Sequence, residues 1–247
     1  MTSEGTGLVS VGTAGWALGK QVRERFLAGS SQLQRYATRL NCCEINSTFY
    51  RLHRPSTYVR WLEAVPADFR FVLKAPRQMT HEQKLRDCRS HLQAFLENTA
   101  VMGAQPRTVL LFQLPPSLAF VDQVATDFFT NLRELYAGLV ACEPRHPSWF
   151  SESLDDLWQH FRISRVAADP ARVPEAARPG GWTDLSYFRW HGSPRMYFSR
   201  YDHERLAELN GLVRTCPAEV VCIFDNTAAG EATGNALELL GLLSASR

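Results

Sequence analysis

Short apolar runs and amphipathic stretches alternate along almost the whole chain. The runs at 8–12, 42–46, 69–74, 108–114, 138–143, 164–169, 186–191 and 219–225 are rich in Val, Leu, Phe and Cys, and most give way to Gly, Pro or polar residues. Such runs read as buried strands. Between them apolar residues recur at helical spacing: Leu33, Tyr36, Ala37 and Leu40 within 30–40; Val59, Leu62 and Val65 after Pro55; Leu85, Leu92, Phe95, Leu96 and Thr99 across 82–102. Further helical stretches cover 121–136, 154–161, 203–214 and 230–243. The rhythm breaks at 170–184, where Pro170, Pro174, Pro179, Gly180 and Gly181 leave no convincing helix; this segment is a candidate lid or an irregular structural loop.

Eight strands alternating with helices predict an α/β fold, a (β/α)8 TIM barrel, with 1–247 as a single domain. A doubly wound open sheet is the competitor. It calls for a glycine-rich phosphate loop after an early strand, and Gly12-Thr13-Ala14-Gly15-Trp16 is a poor version of one.

In a barrel, alternate strand residues face the interior, and the strand ends carry the site. That parity aligns Glu44 with Asn46, Val72 with Lys74, and Val109 and Leu111 with Gln113. It also aligns Leu139 and Ala141 with Glu143, Ala167 with Asp169, Tyr187 with Arg189 and His191, and Val221 and Ile223 with Asp225. The runs thus end in polar groups on the face that begins apolar or small, as a packed floor beneath a polar mouth requires. The loops beyond add His81, then Arg145, His146 and Trp149 in Glu143-Pro144-Arg145-His146-Pro147-Ser148-Trp149, then Tyr197 and Tyr201, and Asn226. Trp16 and Tyr50 follow the first two strands. Strand-end charges also occur as buried ion pairs that fix register, and Lys74 with Glu44 or Glu143 is one such pairing.

Composition narrows the classes. A net charge of +2 is too small for the basic surface that grips duplex nucleic acid. Six cysteines, with no C-x-x-C spacing, read as reduced and mostly buried thiols. No apolar run approaches the length needed to span a bilayer, so no membrane role and a cytoplasmic location are expected.

The chain resembles the YecE-like family. The matching motifs are Gly12-Thr13-Ala14-Gly15-Trp16, Glu44-Ile45-Asn46-Ser47-Thr48-Phe49-Tyr50, Lys74-Ala75-Pro76 with Thr80-His81, and Leu111-Phe112-Gln113-Leu114-Pro115-Pro116-Ser117. Glu143 to Trp149, Arg189-Trp190-His191-Gly192 and Phe224-Asp225-Asn226 with Asn235-Ala236 continue the likeness. The resemblance implies a TIM barrel and brings no established activity or cofactor. The chain departs from the family in Trp190, where Leu is usual, and in Asp225, where the last strand commonly ends in two asparagines.

Three readings follow from these residues. The first is an acid/base enzyme without a cofactor, acting on a small polar or anionic ligand that bears phosphate or carboxylate. Here Glu44, Lys74, Glu143, His146, His191 and Asp225 are the catalytic candidates. Trp16, Asn46, Tyr50, His81, Gln113, Arg145, Trp149, Asp169, Arg189, Tyr201 and Asn226 are the ligand-binding candidates. The second is a hydrolase, isomerase or phosphodiesterase in which Glu44, Glu143, His146, His191 and Asp225 hold a divalent metal. The third is a non-catalytic protein that binds a metabolite, or single-stranded RNA stacked on Trp16, Tyr50 and Trp149.

Overall fold

The computed structural model describes residues 8–245. Its strands are β1 (Val9–Ala14), β2 (Cys42–Ile45), β3 (Arg70–Lys74), β4 (Val109–Gln113), β5 (Leu139–Glu143), β6 (Ile163–Arg165), β7 (Ala167–Asp169), β8 (Gly180–Gly181), β9 (Leu185–Trp190) and β10 (Glu219–Phe224). The main helices are α1 (Gln32–Tyr36), α2 (Ser47–Tyr50), α3 (Pro55–Glu63), α4 (Arg89–Asn98), α5 (Ala100–Gly103), α6 (Asp122–Leu135), α7 (Asp155–His160), α8 (His203–Arg214) and α9 (Glu231–Ala245). The sheet runs β7-β9-β10-β1-β2-β3-β4-β5-β6-β8, and every pairing but β6 with β8 is parallel. β6 and β7 are two halves of one barrel strand interrupted at Val166. The first pairs with β5 and the second with β9, which closes the (β/α)8 TIM barrel.

Two apolar shells follow from the alternation. Cys42, Val72, Val109, Leu111, Ala141, Val166, Tyr187, Val221 and Ile223 fill the axis. Phe71, Phe112, Phe128, Phe129, Trp149 and Trp158 pack between strands and helices. Each aliphatic residue so buried stabilises the fold by about 1.5–3 kcal/mol. Vicinal Cys42 and Cys43 point into opposite shells, and all six cysteines are free thiols. Gly12 lies inside β1, where a Cβ would stand 1.9 Å from the Cys42 carbonyl oxygen. It serves close strand approach rather than a phosphate loop.

The structure corrects three expectations. The helix expected over 82–102 starts only at Arg89. Before it, Lys84, Leu85 and Asp87 take left-handed backbone, at φ 50°, 69° and 51°. Leu85 is buried in this turn, with its N–H donating to the Met79 carbonyl, so its apolarity serves the turn and not a helix face.

Strand six is offset by one residue from the expected parity: Val166 joins the axis, whereas Ala167 packs in the outer shell and Asp169 shares its side. Ala168 is the small inward residue at that position of the mouth.

The segment 170–184 does not lie over the mouth as a whole. It returns down the outside of the barrel in place of a helix, and Gly180–Gly181 pair antiparallel with β6. Gly181 has φ +68° and leaves no room for a Cβ beside the Ile163 carbonyl. Trp182 then packs against the axial shell, and only Pro170, Arg172 and Ala176 flank the mouth.

Candidate active site at the barrel mouth

Parity delivers Glu44, Lys74, Gln113, Glu143, Arg189, His191 and Asp225 to the carboxyl ends of the strands, and all seven are buried. Arg189 is the hub. Its Nε and Nη2 donate to Glu44 Oε2 and Oε1 at 2.9 and 2.7 Å. Nη1 reaches Glu143 Oε2 at 3.2 Å, and Nη2 lies 2.8 Å from Asp225 Oδ2. A planar guanidinium can serve three carboxylates at once because its five N–H groups fan out in one plane. Tyr187 donates to Glu44 Oε2 at 2.9 Å, and Gln113 Nε2 donates to Glu143 Oε2 at 3.0 Å. Tyr187 is the residue that sequence reasoning left out of the site, although its parity with Arg189 pointed it inward.

His191 bridges two carboxylates, with Nε2 3.0 Å from Glu143 Oε1 and Nδ1 3.1 Å from Asp225 Oδ2. The same two ring nitrogens also face the guanidiniums, with Arg145 Nη2 3.4 Å from Nε2 and Arg189 Nη1 3.3 Å from Nδ1. Arg145 adds a bond from Nε to Glu143 Oε1 at 2.9 Å. Burial works to raise the Glu143 carboxyl, but the charges of His191, Arg145 and Arg189 outweigh it and hold it well below the carboxylate range. Asp225 is likewise lowered: burial opposes its charge, and Arg189 and His191 more than offset that.

Lys74 differs from all of these. Neither Glu44 nor Glu143 is its partner; both belong to Arg189, which corrects the expected pairing. Among the described residues the Lys74 ammonium makes no ion pair, and it lies 4.5 Å above the Phe49 ring. Burial and the nearby Arg189 charge lower its pKa from 10.5 to about 8, although Glu44, Asp225 and Glu143 pull the other way. The Phe49 ring meets His81 edge-on at 5.0 Å. Burial, then Lys74 and Arg145, lower the His81 imidazole below its usual value. Tyr50, on the same short helix, is 73% exposed. Asn46 stands between β2 and α2, with its carboxamide oxygen buried and without a hydrogen-bond partner among the described residues.

Other candidates are not brought to the cluster. His146 Nδ1 accepts from the Ser148 N–H and caps its own loop. Trp149 is 1% exposed and donates from Nε1 to the Leu118 carbonyl, so it cannot be a stacking platform. Trp16 packs on Trp61 beside α1 and α3. Asp169 accepts from the Tyr201 hydroxyl at 2.7 Å and from Arg205 Nη2 at 2.6 Å, outside the barrel axis. Tyr201 and Asn226 brace the loops that follow β9 and β10, Asn226 through the Ser199 carbonyl and Asn235.

Among the described residues no group of three or more His, Cys, Asp or Glu is placed to hold a metal ion. The position that a cation would take between Glu44, Glu143 and Asp225 is filled by the Arg189 guanidinium, so these residues do not fit a divalent metal. A recess between Glu143, Arg145, Ala168, Pro170 and His191 adjoins the cluster. Broader surface clefts, such as one of about 460 Å³ between α4 and α6, share none of its residues. No helix among the described residues is long and apolar enough to cross a membrane.

Comparison with known proteins agrees with the fold and adds no chemistry. The profile of the family described as "Protein of unknown function DUF72" matches residues 10–247. UPF0759 protein YecE of Escherichia coli strain K12 is 29% identical over 185 residues, 70% of this chain and 62% of the relative. The chain therefore spans less than two thirds of that relative's length. UPF0759 protein YunF of Bacillus subtilis strain 168 is 23% identical over 96% of this chain and 95% of the relative. The crystal structure of a DUF72 family protein from Thermotoga maritima superposes with a TM-score of 0.79 at 26% identity, over 96% of this chain and 99% of that one. A second, from Enterococcus faecalis V583, superposes with a TM-score of 0.79 at 22% identity, over 96% and 98%.

Proposed function

Because the chain belongs to the DUF72 family, which carries no assigned function, its chemistry has to be read from its own mouth, and we propose that it is an enzyme acting on a small ligand bearing phosphate or carboxylate. The observation that carries this reading is Lys74, a buried ammonium without an ion pair among the described residues, whose pKa lies near 8. At pH 7 roughly one chain in ten then holds the free amine, so the group can both bind an anion and exchange a proton.

Acid/base work falls to Lys74 rather than to a Glu44 and Glu143 pair. Glu143 is held ionised, and Glu44 is committed to Arg189 and Tyr187. The carboxylates, Arg189 and His191 act as a fixed electrostatic frame. Such a frame is set before the ligand arrives, and it needs no reorganisation as charge develops. Arg145 is the second cation for the ligand's anionic group, and Phe49 with Tyr50 gives the ligand an aromatic wall.

The test is a screen of phosphate- and carboxylate-bearing small metabolites, scored by consumption. Lys74→Met is expected to lower turnover by roughly 100-fold or more while the fold is retained. Turnover that survives Lys74→Met, or a protein that neither consumes nor binds any such compound, would overturn the reading.

A further inference from the structure

The opposite end of the barrel holds a second charged group that the mouth does not use. Arg70, the first residue of β3, is fully buried and pairs with Glu219 at the start of β10. Its Nε and Nη1 are buried and find no partner. Arg107, two residues before β4, lies beside it: burial and then the Arg70 charge depress its guanidinium below the ordinary value. Both charges also act on the Cys42 thiol, which lines the axis above them.

Arg107 donates from Nη2 to Ser10 Oγ at 3.1 Å and from Nη1 to the Asp68 carbonyl. It makes no ion pair among the described residues, and its Nε is buried without a partner. Among the described residues Arg70 thus has one paired carboxylate, and Arg107 feels the charges of Glu219 and Asp68 but pairs with neither. A buried donor without an acceptor costs about 1–3 kcal/mol, more for a charged group, so these N–H groups call for an acceptor that the protein does not supply.

We propose that the floor of the barrel binds a small inorganic anion between Arg70 and Arg107, with Ser10 Oγ as a neutral contact. Guanidinium forks suit such a ligand because several N–H groups converge on one negative centre. Glu219, whose side chain is 40% exposed, and Asp68 are the carboxylates whose charges reach these guanidiniums, and the anion competes with them. At the amino-terminal end of the strands the anion stabilises the fold and takes no part in the chemistry.

The probe is inorganic phosphate, added at constant ionic strength to the native chain, to Lys74→Met and to a double variant that combines Arg107→Met with Lys74→Met, with thermal unfolding as the readout. At ten times its Kd the native chain should melt about 3–6 °C higher. A rise should persist in Lys74→Met, whose mouth has lost its free cation, and vanish when Arg107→Met is combined with Lys74→Met. No rise, a rise lost in Lys74→Met, or a rise kept in the double variant overturns the proposal. Should the double variant not fold, crystals of the native chain soaked in bromide decide the matter. An anomalous peak between Arg70 and Arg107 supports the site, and ordered water there without such a peak refutes it.

Discussion

Arg189 and Arg70 are buried to the same degree along the axis of one barrel, and their surroundings could hardly differ more. At the mouth Arg189 uses Nε, Nη1 and Nη2 on Glu44, Glu143 and Asp225. On the floor Arg70 has Glu219 alone, and two of its nitrogens go without a partner. Among the described residues each end also holds a further cation with no ion pair, Lys74 above and Arg107 below. The difference between those two teaches most. A lysine in a desolvated site can lose its proton near neutral pH, and an arginine cannot. The proposed chemistry therefore belongs at the mouth, and the floor is left with the proposed anion site.

The largest effect that tests this contrast is the loss of the mouth's hub. Arg189→Met leaves Glu44, which has no exposure, with Tyr187 as its remaining partner and takes one cation from Glu143 and from Asp225; breaking a buried pair from one side costs about 3–5 kcal/mol. Urea unfolding at pH 7 should show that loss. Arg189→Lys should recover only part of it, because a point charge cannot span three acceptors. A loss under 1 kcal/mol for Arg189→Met would mean that the carboxylates are not held by this guanidinium.

Next in size is a pH effect that belongs to Lys74. Its pKa is lowered in the folded state from 10.5 to about 8, so between these values the unfolded chain holds a proton that the folded chain has released. Stability therefore rises with pH through that window and is flat below it. The gap corresponds to about 3 kcal/mol in all. Comparing the native chain with Lys74→Met by urea unfolding at pH 7, 8, 9 and 10 cancels the tyrosines and cysteines that titrate nearby. A constant difference across the series would show that Lys74 is not desolvated, and the mouth would lose its proton carrier.

Most of this arrangement was legible in the chain, since strand parity is a local property. Glu44, Lys74, Gln113, Glu143, Arg189, His191 and Asp225 all face where alternation sent them. Parity failed at strand six because a polar end was sought there, and Asp169 attracted the assignment that belongs to Ala168. Which cation meets which carboxylate was not legible. Arg189 lies 145 residues from Glu44, and nothing in either strand prefers it to Lys74. Trp149 and His146 looked available because their loop is polar, yet an indole wedged under α6 and an imidazole capping its own turn are decided by packing. The floor was missed for the same reason. Arg70 and Glu219 open their strands, and strand parity carries no signal that a charge at a strand's beginning is buried and short of partners.

The smallest expected effect is also the one that most directly probes the contrast. Arg70→Met removes a guanidinium that has one ion-pair partner, and that partner is 40% exposed and can return to water. The lost pair and the relieved N–H groups act in opposite directions. In a low-salt buffer free of phosphate and halide the net change in urea-unfolding stability should fall within about 1 kcal/mol of zero. Adding phosphate should then stabilise the native chain and leave the variant behind, because only the native chain presents the second guanidinium. A loss of 3 kcal/mol or more in the anion-free buffer would show that Arg70 is as fully satisfied as Arg189, through water that bridges its Nε and Nη1. The two ends of the barrel would then be equivalent in energy, and the mouth would keep only the titratable Lys74 to set it apart.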